Sequence, residues 1–276
     1  MLRQIGKDIR IGRIFSSDKR ALIVPLDHGL PIGPMRGIVN LRQTLAEILP
    51  SRPDAILLTP GQAQSCRDLL IGREKPSLLV RVDWTNLFRL DVQTEAYGSI
   101  CKPEEALAYG ADGVVTYLFS GYQHTSVEAA NITNVANVAR ECESLGLPLV
   151  VESMARGKLQ KGHEHDATEV SVPVRMAGEI GADLIKTDYT GDVDSFRDVV
   201  DASPVPVMVA GGPRMETPSQ LFQTVADTLE AGGVGVFFGR NVFQANSPGR
   251  MVEALRAMIH DNLTVKDAER IAEHSG

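Results

Sequence analysis

The chain has 276 residues, 43% hydrophobic and 23% charged, enough to bury a large core and as compatible with one (β/α) barrel of roughly 250 residues as with two small domains. A net charge of -7 and a pI near 5.4 argue against the basic surface that nucleic-acid binding normally shows. Cys66, Cys101 and Cys142 are odd in number, widely separated and free of any CxxC pair, which argues against a disulfide framework or zinc ribbon and fits a reducing cytosol.

The opening stretch, Met1 to Phe15, mixes Arg3, Lys7, Asp8, Arg10 and Arg13 with isolated apolar residues and lacks the apolar core of a signal peptide. No later apolar run reaches membrane-spanning length. A soluble, unprocessed, cytoplasmic protein without membrane or nucleic-acid partners is expected. Within this stretch Leu2, Ile5, Ile9 and Ile14 fall near helical spacing and predict an extra helix, Leu2 to Ile14, closing one end of a barrel.

Short apolar runs then alternate with helical patterns. The predicted strands are Ala21 to Leu26, Ala55 to Leu58, Ser77 to Val82, Gly113 to Leu118, Leu149 to Glu152, Asp183 to Lys186, Val207 to Ala210 and Val234 to Phe238. Their near-continuous Val, Ile and Leu character suits parallel strands covered on both faces. The predicted helices are Leu41 to Leu49, Pro103 to Tyr109, Val127 to Leu145, Val172 to Ile180, Asp194 to Asp201, Pro218 to Ala231 and Met251 to Ile259. Gly110, Gly181 and Gly232 follow three of them, as left-handed caps do. Eight βα units and no linker favour an α/β fold: one (β/α)8 TIM barrel, residues 1–276, with the extra N-terminal helix. The third unit carries a long connection from Asp83 to Ile100, which reads as an active-site loop.

Barrel chemistry gathers at the C-terminal ends of the strands. Those ends carry Asp27 and His28, Asp83, Tyr117, Glu152 to Gly157, Lys186 to Asp188, Gly211 and Gly212, and Gly239 and Arg240. On a strand, alternate side chains share a face, so Leu184, Lys186 and Asp188 point one way, Ile185 and Thr187 the other. If the first set faces the interior, desolvation disfavours the Lys186 ammonium and leaves part of the amine nucleophilic, as a Schiff-base lysine requires. The alternative is a strand-end lysine snorkelling into water.

Gly211-Gly212 and Gly239-Arg240, at consecutive strand ends, offer backbone N–H groups and a guanidinium to a phosphate; the alternative is two glycine turns with a surface arginine. Asp27 either moves protons and holds substrate hydroxyls, with His28 donating beside it, or caps the turn Gly29 to Gly33. Glu152 is an acid/base group or counter-ion to Lys186, or else a structural ion pair with Arg81. His163-Glu164-His165 lies in a predicted loop with no third ligand fixed by spacing, so no metal site is expected.

Taken in order, Val24-Pro25-Leu26-Asp27-His28-Gly29, Gly33-Pro34, Gly181-Ala182-Asp183-Leu184-Ile185-Lys186-Thr187, Tyr189-Thr190-Gly191-Asp192, Val209-Ala210-Gly211-Gly212-Pro213 and Gly239-Arg240-Asn241-Val242-Phe243-Gln244 span most of the chain. Together they resemble the DeoC/FbaB-type class I aldolases, in particular archaeal-type fructose-bisphosphate aldolases, aminodideoxyheptulosonate synthases and the autoinducer-2 phosphate thiolase. The resemblance implies a lyase of carbohydrate metabolism acting on a phosphorylated ketose or keto-sugar. Lys186 forms the Schiff base, Asp27 assists, and the glycine loops with Arg240 hold the phosphate; Arg156 joins that substrate-binding set. It further implies no metal or other cofactor, and a homo-oligomer built from pentameric rings, a pentamer or decamer. Many relatives place Tyr-Pro-Arg-Gly after the fifth strand, where this chain reads Met154-Ala155-Arg156-Gly157. Proton transfer therefore falls to Glu152, Asp27 or Tyr117. Otherwise the reaction is acyl transfer from a phosphorylated diketone to coenzyme A, or the barrel is a silent binder of sugar phosphate.

Overall fold

Short strands buried on both faces are what a closed parallel sheet needs, and the apolar runs deliver them. The computed structural model describes residues 2–89 and 93–273. Met1, residues 90–92 and residues 274–276 lie outside the described residues, as do the side chains of Leu2 and Arg3 from the N-terminal pattern. The strands are β1 (Ala21–Pro25), β2 (Ala55–Leu58), β3 (Ser77–Arg81), β4 (Asp83–Thr85), β5 (Tyr97–Ser99), β6 (Gly113–Ser120), β7 (Leu149–Ala155), β8 (Leu184–Thr187), β9 (Val207–Ala210) and β10 (Gly235–Phe237). Eight of them close into a barrel in the order β1-β2-β3-β6-β7-β8-β9-β10 and back to β1, and the neighbours run parallel. With helices packed around them they form a (β/α)8 TIM barrel.

Strand parity separates two cores. Ile23, Leu57, Leu79, Val115, Leu184 and Phe237 belong to the cluster filling the barrel's lower interior. Val24, Leu58, Val80, Val114, Ile185 and Val209 face outward into the larger cluster shared with the helices. The extra helix, Leu2–Ile14, plugs the bottom with its last turn only: Ile14 is buried within the lower core, whereas Ile5 and Ile9 stay exposed. It is pinned by Lys7, which reaches Glu143 at 2.8 Å and Asp183 at 3.0 Å.

Several boundaries differ from the sequence expectation. β6 and β7 run on to Ser120 and Ala155, because their seven-residue pairing from Val114–Leu149 to Ser120–Ala155 keeps the backbone bonded beyond the apolar run. Met154 is thus inside a strand rather than after it. β8 begins at Leu184; Asp183 instead accepts from the Leu149 N–H at 2.8 Å. The long third connection is not wholly a loop, since β4 and β5 pair as an antiparallel arm. The helix expected from Val172 starts at Ala167 and carries Pro173 inside it, a placement that a proline usually argues against. A terminal helix, Val265–Glu273, also forms; its mostly polar sequence gave little apolar signal.

Candidate active site

The inward register of β8 brings Leu184 into the lower core and, two residues on, Lys186 to the floor of a pocket at the C-terminal end of the barrel. Lys186 is 5% exposed. It does not snorkel: its Nζ donates to Glu152 Oε1 at 2.7 Å and stands 5.4 Å from the centre of the Phe237 ring. Glu152 is its register partner on β7, and Tyr117 is the register partner of Glu152 on β6, so three neighbouring strands bring these side chains to one level. The buried setting expected for Lys186 is present, and the counter-ion expected beside it is Glu152, 34 positions away in sequence.

Glu152 serves two cations, because its Oε2 also accepts from an Arg81 terminal nitrogen. Burial by itself would raise this carboxyl, but the charges of Lys186 and Arg81 overrule it and hold it at about 2. The two readings of Glu152, partner of Lys186 and ion pair with Arg81, are both met. Asp27 does not cap the following turn through its side chain; its Oδ2 accepts from Arg81 Nε at 2.8 Å. His28 lies beside it with Nδ1 3.8 Å from Asp27 Oδ1, too long for a hydrogen bond. Burial, opposed by Asp27 and aided by Lys186 and Arg240, pushes His28 down to about 4, so its imidazole is neutral at pH 7. Tyr117 is buried, with the Arg81 guanidinium carbon 3.8 Å above its ring. Burial drives its phenol well above the usual range despite Arg81. It is a donor near neutrality and not a base.

The opposite wall is cationic and rich in glycine. Gly211 and Gly212 follow β9; Gly239 and Arg240 follow β10; all line the same pocket as Lys186. Gly212 sits at φ +59, the left-handed region that glycine adopts without penalty. At Gly239 a Cβ would stand 2.4 Å from His28 Cε1 and 2.8 Å from the Pro25 carbonyl, so only glycine permits the imidazole to close against this loop. Buried Asn241 staples the two loops: it donates to the Gly211 carbonyl at 2.8 Å and accepts from the Met215 N–H at 2.8 Å. Arg156 reaches in from the end of β7, its terminal nitrogen 2.7 Å from Asp188 Oδ2. The Nε atoms of both Arg156 and Arg240 are buried without a protein partner. Burial and then the nearby Arg156 charge lower Arg240 from its usual range, a strain that an anion bound between the two would relieve.

The arm of β4 and β5 closes the third side. Phe88 lines the pocket and packs on Tyr117 and Phe119 with ring centres 5.6 and 5.7 Å away. Arg89 Nε donates to the Pro31 carbonyl at 2.8 Å. Buried Glu95 accepts from the backbone N–H groups of Gln123 at 2.6 Å and Lys158 at 2.7 Å, tying the loops after β6 and β7 to the arm. With Met154 on β7 also lining it, the pocket has an apolar side facing its cationic side.

All ten residues nominated from the sequence, namely Lys186, Asp27, Glu152, Tyr117, His28, Gly211, Gly212, Gly239, Arg240 and Arg156, line this one pocket. Sequence reasoning paired Arg81 with Glu152 but missed its bond to Asp27, and it missed the parts played by Phe88, Glu95 and Asn241. His163 and His165 are exposed and bond to Asp166 and to the Tyr189 carbonyl; among the described residues no group of three potential ligands gathers to hold a metal. No helix among the described residues is long and apolar enough to cross a membrane.

Comparison with known proteins finds aldolases. A family model described as "DeoC/LacD family aldolase" matches residues 21–245. An uncharacterized aldolase of Saccharolobus solfataricus is 37% identical over 97% of this chain and 99% of its own length. A 2-amino-3,7-dideoxy-D-threo-hept-6-ulosonate synthase of Halobacterium salinarum is 37% identical over 93% of this chain and 92% of its own. A solved Schiff-base-forming fructose-1,6-bisphosphate aldolase superposes with a TM-score of 0.81 at 27% identity, covering 92% of this chain and 100% of the other.

Proposed function

Because the chain belongs to the DeoC/LacD family of aldolases, we propose that it is a class I lyase that cleaves or forms a carbon–carbon bond in a phosphorylated ketose or keto-sugar through a Schiff base on Lys186. The observation that carries this reading is one pocket holding the buried Lys186–Glu152 pair at its floor and two unpartnered arginine Nε donors beside glycine loops at its wall. The phosphate docks at the wall and presents the ketone to Nζ. Remote binding of this kind orients the carbonyl for attack. Lys186 gives a proton to Glu152 and its lone pair forms the C–N bond; the carbinolamine hydroxyl leaves as water with the proton returned by Glu152. The iminium then accepts the electron pair of the breaking carbon–carbon bond while Asp27 takes the substrate hydroxyl proton. In the synthetic direction, favoured by the relative named a synthase, the enamine adds to a carbonyl. Homo-oligomeric assembly and a cytoplasmic location belong to the same proposal.

Borohydride reduction with a panel of ketose phosphates, followed by mass spectrometry, tests it. An adduct on Lys186 with the mass of the reduced substrate is expected. Lys186→Met is expected to lose turnover and adduct while still binding the phosphate ester, and undiminished turnover in that variant refutes the mechanism. Met154, where many relatives carry the tyrosine, supports one second reading: acyl transfer from a phosphorylated diketone to coenzyme A. Product formation that depends on coenzyme A separates the two.

A further inference from the structure

Arg81 is 1% exposed, and a buried arginine in a barrel interior needs a reason. Its Nε donates to Asp27 at 2.8 Å, one terminal nitrogen donates to Glu152, and its flat face covers Tyr117. The other terminal nitrogen faces Asp83 Oδ1 at 3.6 Å, and neither of those two atoms has a hydrogen-bond partner. One guanidinium therefore touches all three groups nominated for proton transfer.

The charge balance shows why this matters. Asp27, Asp83 and Glu152 are acids packed around two cations, Arg81 and Lys186. When Lys186 surrenders its proton to attack a ketone, Arg81 is the cation left in contact with them. Resting on the reading above, we infer that Arg81 is a positioning residue of the lysine chemistry: shared between Asp27 and Glu152, it holds the two carboxylates in place and lets Glu152 pass on the proton that it takes from Lys186. Without it, Glu152 keeps Lys186 as its single cation in a buried site, and its carboxyl rises and protonates at higher pH. Glu152 would then meet Lys186 already protonated, with no site for the proton that must leave Nζ. The depressed carboxyl of Glu152, opposite to what its burial alone favours, agrees with this role. The other groups facing the cluster are Asp83 and Tyr117 behind Arg81, His28 beside Asp27, and Arg156, paired with Asp188, with Arg240 across the mouth. Asp83 is raised to about 6, with burial outweighing Arg81 and the hydrogen bonds it accepts. It cannot replace Arg81 as a source of positive charge.

The experiment is the pH dependence of the borohydride-trapping rate with a ketose phosphate, from pH 4 to 9, for wild type, Arg81→Met and Arg81→Lys, with circular dichroism to establish folding. In Arg81→Met the acidic limb is expected to move up by about one to three pH units, with at least a tenfold slower trapping rate at pH 6. Arg81→Lys reaches one carboxylate rather than two, so its limb moves in the same direction by less. A purely structural role lowers the folded fraction and leaves the limb in place; unmoved limbs in both variants overturn the inference. If Arg81→Met does not fold, Arg81→Lys alone decides by the same criterion. No adduct on wild-type Lys186 removes the proposed function and this inference together, whereas wild-type trapping with unmoved limbs removes only the inference.

Discussion

Glu152→Gln removes the one side chain on which both buried cations converge. The amide has a single oxygen, so it accepts from Lys186 or from Arg81 and turns an NH₂ donor toward the other. The depression of Glu152 from 4.5 to about 2 corresponds to about 3 kcal/mol of folded-state stability. The sign follows from a depressed acid: the contribution is fully present above pH 4.5 and is lost as the pH falls through about 2. Breaking a buried ion pair by deleting one partner costs about 3–5 kcal/mol, so two routes agree on about 3 kcal/mol at pH 7. The variant also loses the acceptor for the Lys186 proton, and removal of a positioned base lowers rates by about 10²- to 10⁴-fold. Urea unfolding at pH 7 measures the first effect and the borohydride-trapping rate the second. The variant should also lack the wild type's extra loss of stability between pH 4.5 and 2. Stability within 1 kcal/mol of wild type together with trapping within threefold of its rate would refute the reasoning.

Arg240→Ala removes a charge-assisted contact of about 1.5–3 kcal/mol, so KM for a phosphorylated substrate should rise roughly 10- to 150-fold while that of its unphosphorylated analogue barely moves; equal changes count against the anchor. Gly157→Ala places a Cβ 2.0 Å from the Gly121 carbonyl carbon and oxygen, an overlap with backbone that should cost about 1–3 kcal/mol or more and displace the loop bearing Arg156. Its Tm should fall further than that of Gly212→Ala, which meets nothing within 4 Å and costs only the left-handed backbone, roughly 1–2 kcal/mol; the reverse order would show that these loops separate freely. His260 has ring nitrogens 2.9 Å from Asp18 and Asp54; burial would lower it, but those carboxylates raise it. Its stabilisation is thus full below pH 6.5 and fades as the pH rises through the elevated folded value, so the Tm gap between wild type and His260→Gln should be widest near pH 6 and narrow as the pH is raised from there, and a gap independent of pH argues against the pairing.

The barrel was legible because its signals are local. Alternation along β8 set the faces of Leu184, Ile185, Lys186 and Asp188 without knowledge of any neighbour, and glycine punctuation marked Gly110, Gly181 and Gly232, all at positive φ. The strand-end rule collected the pocket residues. Register and ion pairing are not local. Arg81 lies 54 residues from Asp27 and 71 from Glu152, and as one arginine in Ser77-Leu78-Leu79-Val80-Arg81 it carries no mark distinguishing a buried bridge from a solvated strand end. The arm of β4 and β5 was recognisable as an irregular insertion, but its residues Asp83 to Ser99 lack the apolar alternation that would have announced a hairpin. Asn241 was visible as a strand-end residue, whereas its stapling of the loop after β9 depends on three-dimensional closure.

The same distinction bears on how the lysine is activated. From sequence, burial was the force invoked, and it led to an amine neutral in part, with Glu152 as one candidate counter-ion. In the barrel, the apolar floor at Phe237 and the carboxylate of Glu152 act on Nζ together, so activation is a matter of where one proton goes rather than of exclusion from water alone. Met154 sharpens the point. A thioether neither donates nor accepts a proton usefully, and the Tyr117 phenol is held protonated by its surroundings. The groups left to accept protons are the two carboxylates joined through Arg81. On the proposed reading, two acids, one arginine and one lysine joined by these contacts form a relay between Lys186, Glu152 and Asp27, and the arginine and glycine wall holds the phosphorylated ketone where that relay ends.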